Sequence, residues 1–126
     1  MSWESTLVYY QLLNEKAKTL LGPSHSCPCV IESVDFHLIQ ELQHQGKWEE
    51  LAQIMIARAQ LLETSGAEII LLCTNTMHLC ADAIRESLRV DFLHIVEATG
   101  RAIEKRGLHK VLLLGTRFTM EKDFFR

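Results

Sequence analysis

The apolar positions of this chain repeat with two periods, and the alternation between them predicts its architecture. Residues 3–21 carry Trp3, Leu7, Tyr10, Leu13, Ala17 and Leu20 at the spacing of an amphipathic helix, and Gly22-Pro23 ends it as a C′ glycine followed by proline should. Cys29–Asp35 is rich in β-branched residues and predicts a strand. Phe36–Gln45 predicts a short helix closed by Gly46. From Trp48 to about Thr64 a longer helix should bury Leu51, Ile54, Met55, Ala59 and Leu62. Glu68–Leu72 reads as the central strand and Met77–Leu88 as the helix after it. Phe92–Ile95 predicts another strand, Glu97–Arg106 a helix ended by Gly107, and Val111–Leu114 a last strand, with a further helix beginning near Thr119.

Strands alternating with helices of this length predict an α/β fold, a parallel sheet flanked by helices. Right-handed crossovers put each strand-to-helix turn on one edge of such a sheet. The turns at Thr74–Thr76, Glu97-Ala98 and Gly115–Thr119 should therefore gather on one rim.

Composition narrows the function classes. The 126 residues suffice for one hydrophobic core, with 48% apolar and 23% charged side chains and a formal charge of −3. No basic stripe interleaved with aromatics points to nucleic acid. Apolar runs such as Ile69–Cys73 and Val111–Leu114 are too short to cross a bilayer, and the acidic start does not resemble a signal peptide. The expected setting is the cytoplasm, where Cys27, Cys29, Cys73 and Cys80 stay reduced. His25-Ser26-Cys27-Pro28-Cys29 invites a metal reading, but two cysteines one residue apart lack the usual ligand gap and no partner pair is evident. No metal is expected.

The candidate chemistry lies in Gly66-Ala67-Glu68-Ile69-Ile70-Leu71-Leu72-Cys73-Thr74-Asn75-Thr76-Met77-His78. Here a buried strand ends on a cysteine, and hydroxyl and amide side chains open a helix. That position is the carboxyl edge of a parallel sheet, where open α/β folds bind ligands. A helix amino terminus favours thiolate and lowers its pKa, so the pattern predicts a reactive thiol in a polar pocket. Thr74, Asn75 and Thr76 offer donors beside helix-terminal N–H groups, a cradle for a carboxylate. Cys80, seven residues on, is expected only to pack, and His78 to hydrogen-bond near the cleft or to serve structure. Trp3 and Trp48 read as helix-packing residues. Glu32 and Asp35 fall on opposite faces of a strand and make a poor general-acid pair.

Four motifs, Met1-Ser2-Trp3-Glu4-Ser5-Thr6, Ser33-Val34-Asp35-Phe36, Cys73-Thr74-Asn75-Thr76-Met77-His78 and Leu114-Gly115-Thr116-Arg117-Phe118-Thr119-Met120, resemble the aspartate/glutamate racemase superfamily in family order. The likeness is strongest to its aspartate racemase and broad-specificity amino-acid racemase branch. It implies two flavodoxin-like halves facing a cleft, each giving one cysteine, with no pyridoxal phosphate or other cofactor. One cysteine removes the α-proton as thiolate and the other delivers a proton to the opposite face. Cys73 matches the first. The resemblance places substrate contacts on Thr74, Asn75 and Thr76, and also on Met1 and Gln43.

The same resemblance implies that residues 1–108 are a first half-domain lacking its glycine-rich first strand, and 109–126 the opening strand and turn of a second. Met1 enters a helix with no strand before it, and Phe124-Phe125-Arg126 stops inside a helical pattern, so a fragment of a longer protein is expected. Such a chain would be a weak or inactive racemase of aspartate, glutamate or a related amino acid, with a homodimer as its candidate assembly, or a non-catalytic amino-acid or carboxylate binding remnant. Hydantoin racemases, maleate isomerases and arylmalonate decarboxylases are further relatives in the superfamily. Thr116 and Thr119 are expected to be solvated or misplaced. Either Val111–Leu114 folds back into the slot of the absent first strand, or the chain keeps the parent arrangement and a dimer or companion polypeptide makes it stable.

Overall fold

A computed structural model describes residues 2–121; Met1 and residues 122–126 lie outside the described residues. Helix α1 spans Trp3–Leu21, α2 Phe36–His44 and α3 Trp48–Thr64. Strand β1 (Ile69–Leu71) leads into a 3₁₀ turn, Thr76–Cys80, and α4, Ala81–Glu86. Strand β2 (Asp91–Leu93) is followed by α5, Ile95–Lys105, and a last helix, α6, covers Arg117–Glu121.

The core forms where periodic apolar faces meet. Leu51, Met55 and Ala59 of α3 are buried with Ile39 and Leu42 of α2, and they pack on Ile70, Met77, Ala81, Ile84 and Phe92. Ile54 and Leu62, also expected inside, lie partly buried against this cluster. Asp35 caps α2 by accepting the His37 N–H at 3.0 Å, which satisfies one of the free donors of the first turn. Glu32 is engaged separately, by Arg58.

Strands β1 and β2 run parallel, with Ile69 opposite Asp91, Ile70 opposite Phe92 and Leu71 opposite Leu93. Among the described residues the sheet has two strands. The α/β class with a parallel sheet and flanking helices holds, but two expected strands do not form. Residues 28–35 and 110–116 run without turn or bend, yet neither enters a ladder. A strand needs a neighbour's N–H and C=O groups, and among the described residues no strand pairs with either run. Val111–Leu114 has not folded back into an empty slot: Leu112 is 82% exposed and Leu114 75%.

Helix α1 also departs from expectation. It contributes no buried residue, and Trp3, Leu7, Tyr10 and Leu20 of the predicted inner stripe face outward, Trp3 65% and Leu20 68% exposed. Leu13 and Ala17 of that stripe are half-buried, together with Ser2, Thr6 and Tyr9. Trp3 therefore packs on nothing within the core, whereas Trp48 meets Phe118 edge-on at 5.3 Å between ring centroids.

Candidate active site

Cys73 stands two residues beyond β1, half-buried, as the strand-end position requires. It opens into a groove of about 890 Å³ that also receives Thr6 and Tyr9 from α1. The body of this groove is mostly apolar, lined by Cys29–Glu32 and Ile69–Leu72 among others. Thr74, Asn75 and Thr76 do not line it. The pocket at the sulfur is thus apolar with a polar end, not the polar pocket the pattern predicts.

The local electrostatics follow from that setting. Burial pushes the Cys73 thiol above its ordinary value, against a smaller stabilisation of the thiolate by the Thr6 hydroxyl. The expected lowering by a helix amino terminus does not prevail. A five-residue 3₁₀ turn begins three residues after Cys73, and so short an element carries little aligned dipole to offset desolvation. Tyr9 is raised as well, first by burial and then by repulsion from a Cys73 thiolate. Thr6 and Tyr9, three residues apart on one face of α1, are the neighbours that the apolar pattern of that helix conceals.

The residues after Cys73 form a hydrogen-bonded frame. The Thr74 N–H donates to the Leu72 carbonyl at 2.8 Å. His78 is 2% exposed, with Nδ1 2.6 Å from the Thr74 carbonyl and Nε2 accepting the Ile95 N–H at 3.2 Å. Because Nε2 accepts and the carbonyl can only accept, the ring is neutral with its proton on Nδ1. Burial, first, and the nearby His94 hold its pKa down to about 4, against support from the Thr74 carbonyl. The His94 ring meets it edge-on at 4.6 Å, and His94 Nδ1 caps α5 by accepting the Val96 N–H.

Part of the expected rim is present in these contacts, with Ile95 rather than Glu97-Ala98 joining it. The turn after β1 touches the one after β2 through His78 and Ile95. It touches the segment before α6 through Thr76 and Thr116, whose hydroxyls are 3.3 Å apart. Thr116 also accepts the Thr119 N–H and pairs with the Thr119 hydroxyl at 3.2 Å. Thr119 is 1% exposed, so it is a buried capping partner rather than a solvated residue. Gly115 permits that turn, since a Cβ there would stand 2.9 Å from two Thr119 carbons.

Of the remaining candidates, Asn75 is exposed at the tip of the turn and Thr74 half-buried. Gln43 is half-buried, and its amide reaches the Met77 sulfur at 3.2 Å. That places Gln43 against the motif but leaves it outside the groove that holds Cys73. Met1 lies outside the described residues. Cys80 is buried in the core, as expected. Among the described residues no group of three metal-ligating side chains gathers, and no helix is long and apolar enough to cross a membrane.

Comparison with known proteins places this site in a family context. The profile of the Asp/Glu/Hydantoin racemase family matches residues 1–126. The chain is 30% identical over 102 residues to the broad specificity amino-acid racemase RacX of Bacillus subtilis (strain 168), covering 81% of this chain and 40% of that protein. It superposes with a TM-score of 0.93 on a Yersinia pestis crystal structure provisionally described as an Asp/Glu racemase, 46% identical, over 99% of this chain and 54% of that one. It superposes at 0.84 on an aspartate racemase homologue from Pyrococcus horikoshii OT3, 36% identical, over 98% and 54% of the two chains. The chain spans about half the length of these relatives.

Proposed function

This chain belongs to the Asp/Glu/hydantoin racemase family, and from that premise we propose that it is the part of a cofactor-independent amino-acid racemase that carries one acid–base cysteine, Cys73. The observation that carries the reading is the placement of Cys73 at the carboxyl end of β1 beside Thr6 and Tyr9. In this reading the Cys73 thiolate takes the α-proton of a small amino acid. The C–H electron pair moves into the carboxylate as an enediolate, and a second thiol returns a proton to the opposite face. Thr74, Asn75 and Thr76, with Met1 and Gln43, would hold the substrate, so that fixed donors meet the developing charge.

A raised thiol pKa fits a base for a very weak carbon acid, because the thiolate once formed is more basic. It also means that little thiolate is present at neutral pH. One matched cysteine serves one face of the substrate, so the chain by itself should exchange the α-proton faster than it inverts the centre. The second reading, a binding remnant without catalysis, is favoured by that same raised pKa.

The test is α-proton exchange in D₂O with L-aspartate, L-glutamate and L-homoserine, followed by NMR with chiral analysis of the same samples and Cys73→Ser in parallel. Exchange that disappears in Cys73→Ser, with the L-configuration retained, is the expected result. Binding of any of the three without exchange would leave the remnant reading in its place.

A further inference from the structure

The buried ring of His78 joins the turn that holds Cys73 to the head of α5. Its Nδ1 lies 2.6 Å from the Thr74 carbonyl, and the backbone N–H of the same residue donates to the Asn75 carbonyl at 3.0 Å. On its far side Nε2 accepts the N–H of Ile95, the first residue of α5. That helix contributes no buried residue, so polar ties of this kind hold its start. Cys73 sits in the middle of the tied turn, which the Thr74 N–H closes on the Leu72 carbonyl at 2.8 Å.

A neutral imidazole carries one N–H, and the hydrogen bond made by one nitrogen decides where that proton sits. The Ile95 N–H occupies the Nε2 lone pair, which leaves the proton on Nδ1 for the Thr74 carbonyl. The Thr74–Asn75 peptide is planar and trans. Holding its C=O on the buried ring therefore turns its N–H the other way, towards the exposed tip at Asn75. The head of α5 sets a tautomer, the tautomer holds a carbonyl, and the carbonyl fixes how the turn after Cys73 faces outward.

We propose that His78 is a positioning residue of the cysteine site: in the tautomer that the Ile95 N–H selects, it holds the Thr74 carbonyl and so fixes the Thr74–Asn75 peptide beside Cys73. That this peptide is held for a substrate carboxylate rests on the racemase reading above. The effect on the sulfur does not. A carbonyl released from its donor, one peptide from Cys73, disfavours the thiolate, so alkylation of Cys73 reads the same event without substrate.

The test compares His78→Leu, His78→Asn, Ile95→Pro and the His78→Asn/Ile95→Pro double variant of the full chain, with far-UV circular dichroism to establish folding. Asparagine sets an amide N–H near the place of Nδ1 and needs no tautomer. Proline removes the Ile95 N–H at a first helical position, where it is tolerated, and the extended backbone of His94 suits the residue before a proline. Two quantities are measured: α-proton exchange of L-aspartate with kcat and KM separated, and the pH midpoint of Cys73 alkylation by iodoacetamide, read from peptide masses. His78→Leu and Ile95→Pro should lower kcat about 10- to 100-fold, change KM less, and raise the alkylation midpoint. His78→Asn should retain most of the exchange, and adding Ile95→Pro to it should move neither quantity further. A fall in His78→Asn as deep as in His78→Leu overturns the proposal, because the ring then acts only by filling space. So does an Ile95→Pro effect that is absent in the wild-type background or equally large in the asparagine background. Should the wild type show no exchange, the racemase reading fails by itself, and the pattern of alkylation midpoints decides the role of His78. Should His78→Leu not fold, Ile95→Pro with and without His78→Asn decides it.

Discussion

At the scale of single residues, two buried titratable groups set how this molecule responds to pH. His78 has a folded-state pKa of about 4 against about 6.5 in the unfolded chain. As pH falls, the unfolded state takes up the proton first, so the folded state loses ground. Its contribution is complete above pH 6.5, declines between pH 6.5 and 4, and levels off below that. The loss should be roughly 3 kcal/mol, read from urea midpoints across this range and absent in His78→Asn. Cys73 responds in the other direction. Burial holds its thiol above the ordinary range, so its alkylation by iodoacetamide should rise through a midpoint higher than that of a free thiol. Thr6→Val removes the hydroxyl that favours the thiolate and should move that midpoint higher still, by a measurable fraction of a pH unit.

At the scale of elements, the structure separates what a pattern can specify from what a neighbour must supply. Helix α3 was legible in the sequence because Leu51, Met55 and Ala59 recur on one face and that face is the one buried. The cap at Asp35 is equally local, and Asp35→Ala should cost about 1 kcal/mol, measured by chemical denaturation. Residues 28–35 and 110–116 carry strand composition but no ladder, because composition cannot provide the partner edge. The stripe of α1 misled in part for a related reason: apolar spacing names a face that seeks cover, and among the described residues that face is covered only halfway, at Leu13 and Ala17, while Trp3, Leu7, Tyr10 and Leu20 stay exposed. The candidate site was legible at Cys73, where strand end and motif coincide. It was not legible at Thr6 and Tyr9, or in the bond from Ile95 to His78, which join elements far apart in sequence. The turn before α6 makes its own prediction. Gly115→Ala forces a Cβ against Thr119 and should cost about 1–3 kcal/mol as an overpacked contact. Loss of the Trp48–Phe118 contact would shift tryptophan emission to the red.

At the scale of the whole molecule, the exposed area governs the response to denaturant. An unfolded chain of this mass exposes about 21,000 Å², so folding to 9069 Å² hides a smaller share than in a compact domain of equal length. The slope of unfolding free energy against urea scales with that difference. In dilute solution the slope should lie about a sixth below the norm for this length. A slope at the norm would mean that the apolar groove and the outer face of α1 are closed in solution.

The bond from His78 to the Thr74 carbonyl has a consequence for observation. A proton on a ring nitrogen that lies 2.6 Å from its acceptor oxygen, in a side chain that is 2% exposed, exchanges slowly with water. It should give its own far-downfield line in the proton spectrum of ¹⁵N-histidine-labelled protein, split by Nδ1 and lost in His78→Asn. Because the opposite nitrogen of the same ring receives the Ile95 N–H, that line registers the distance between the cysteine turn and the start of α5. The molecule thus carries an internal gauge: titrating an amino acid while watching one resonance would report whether the turn tightens, opens or stays still, with no label placed in the site.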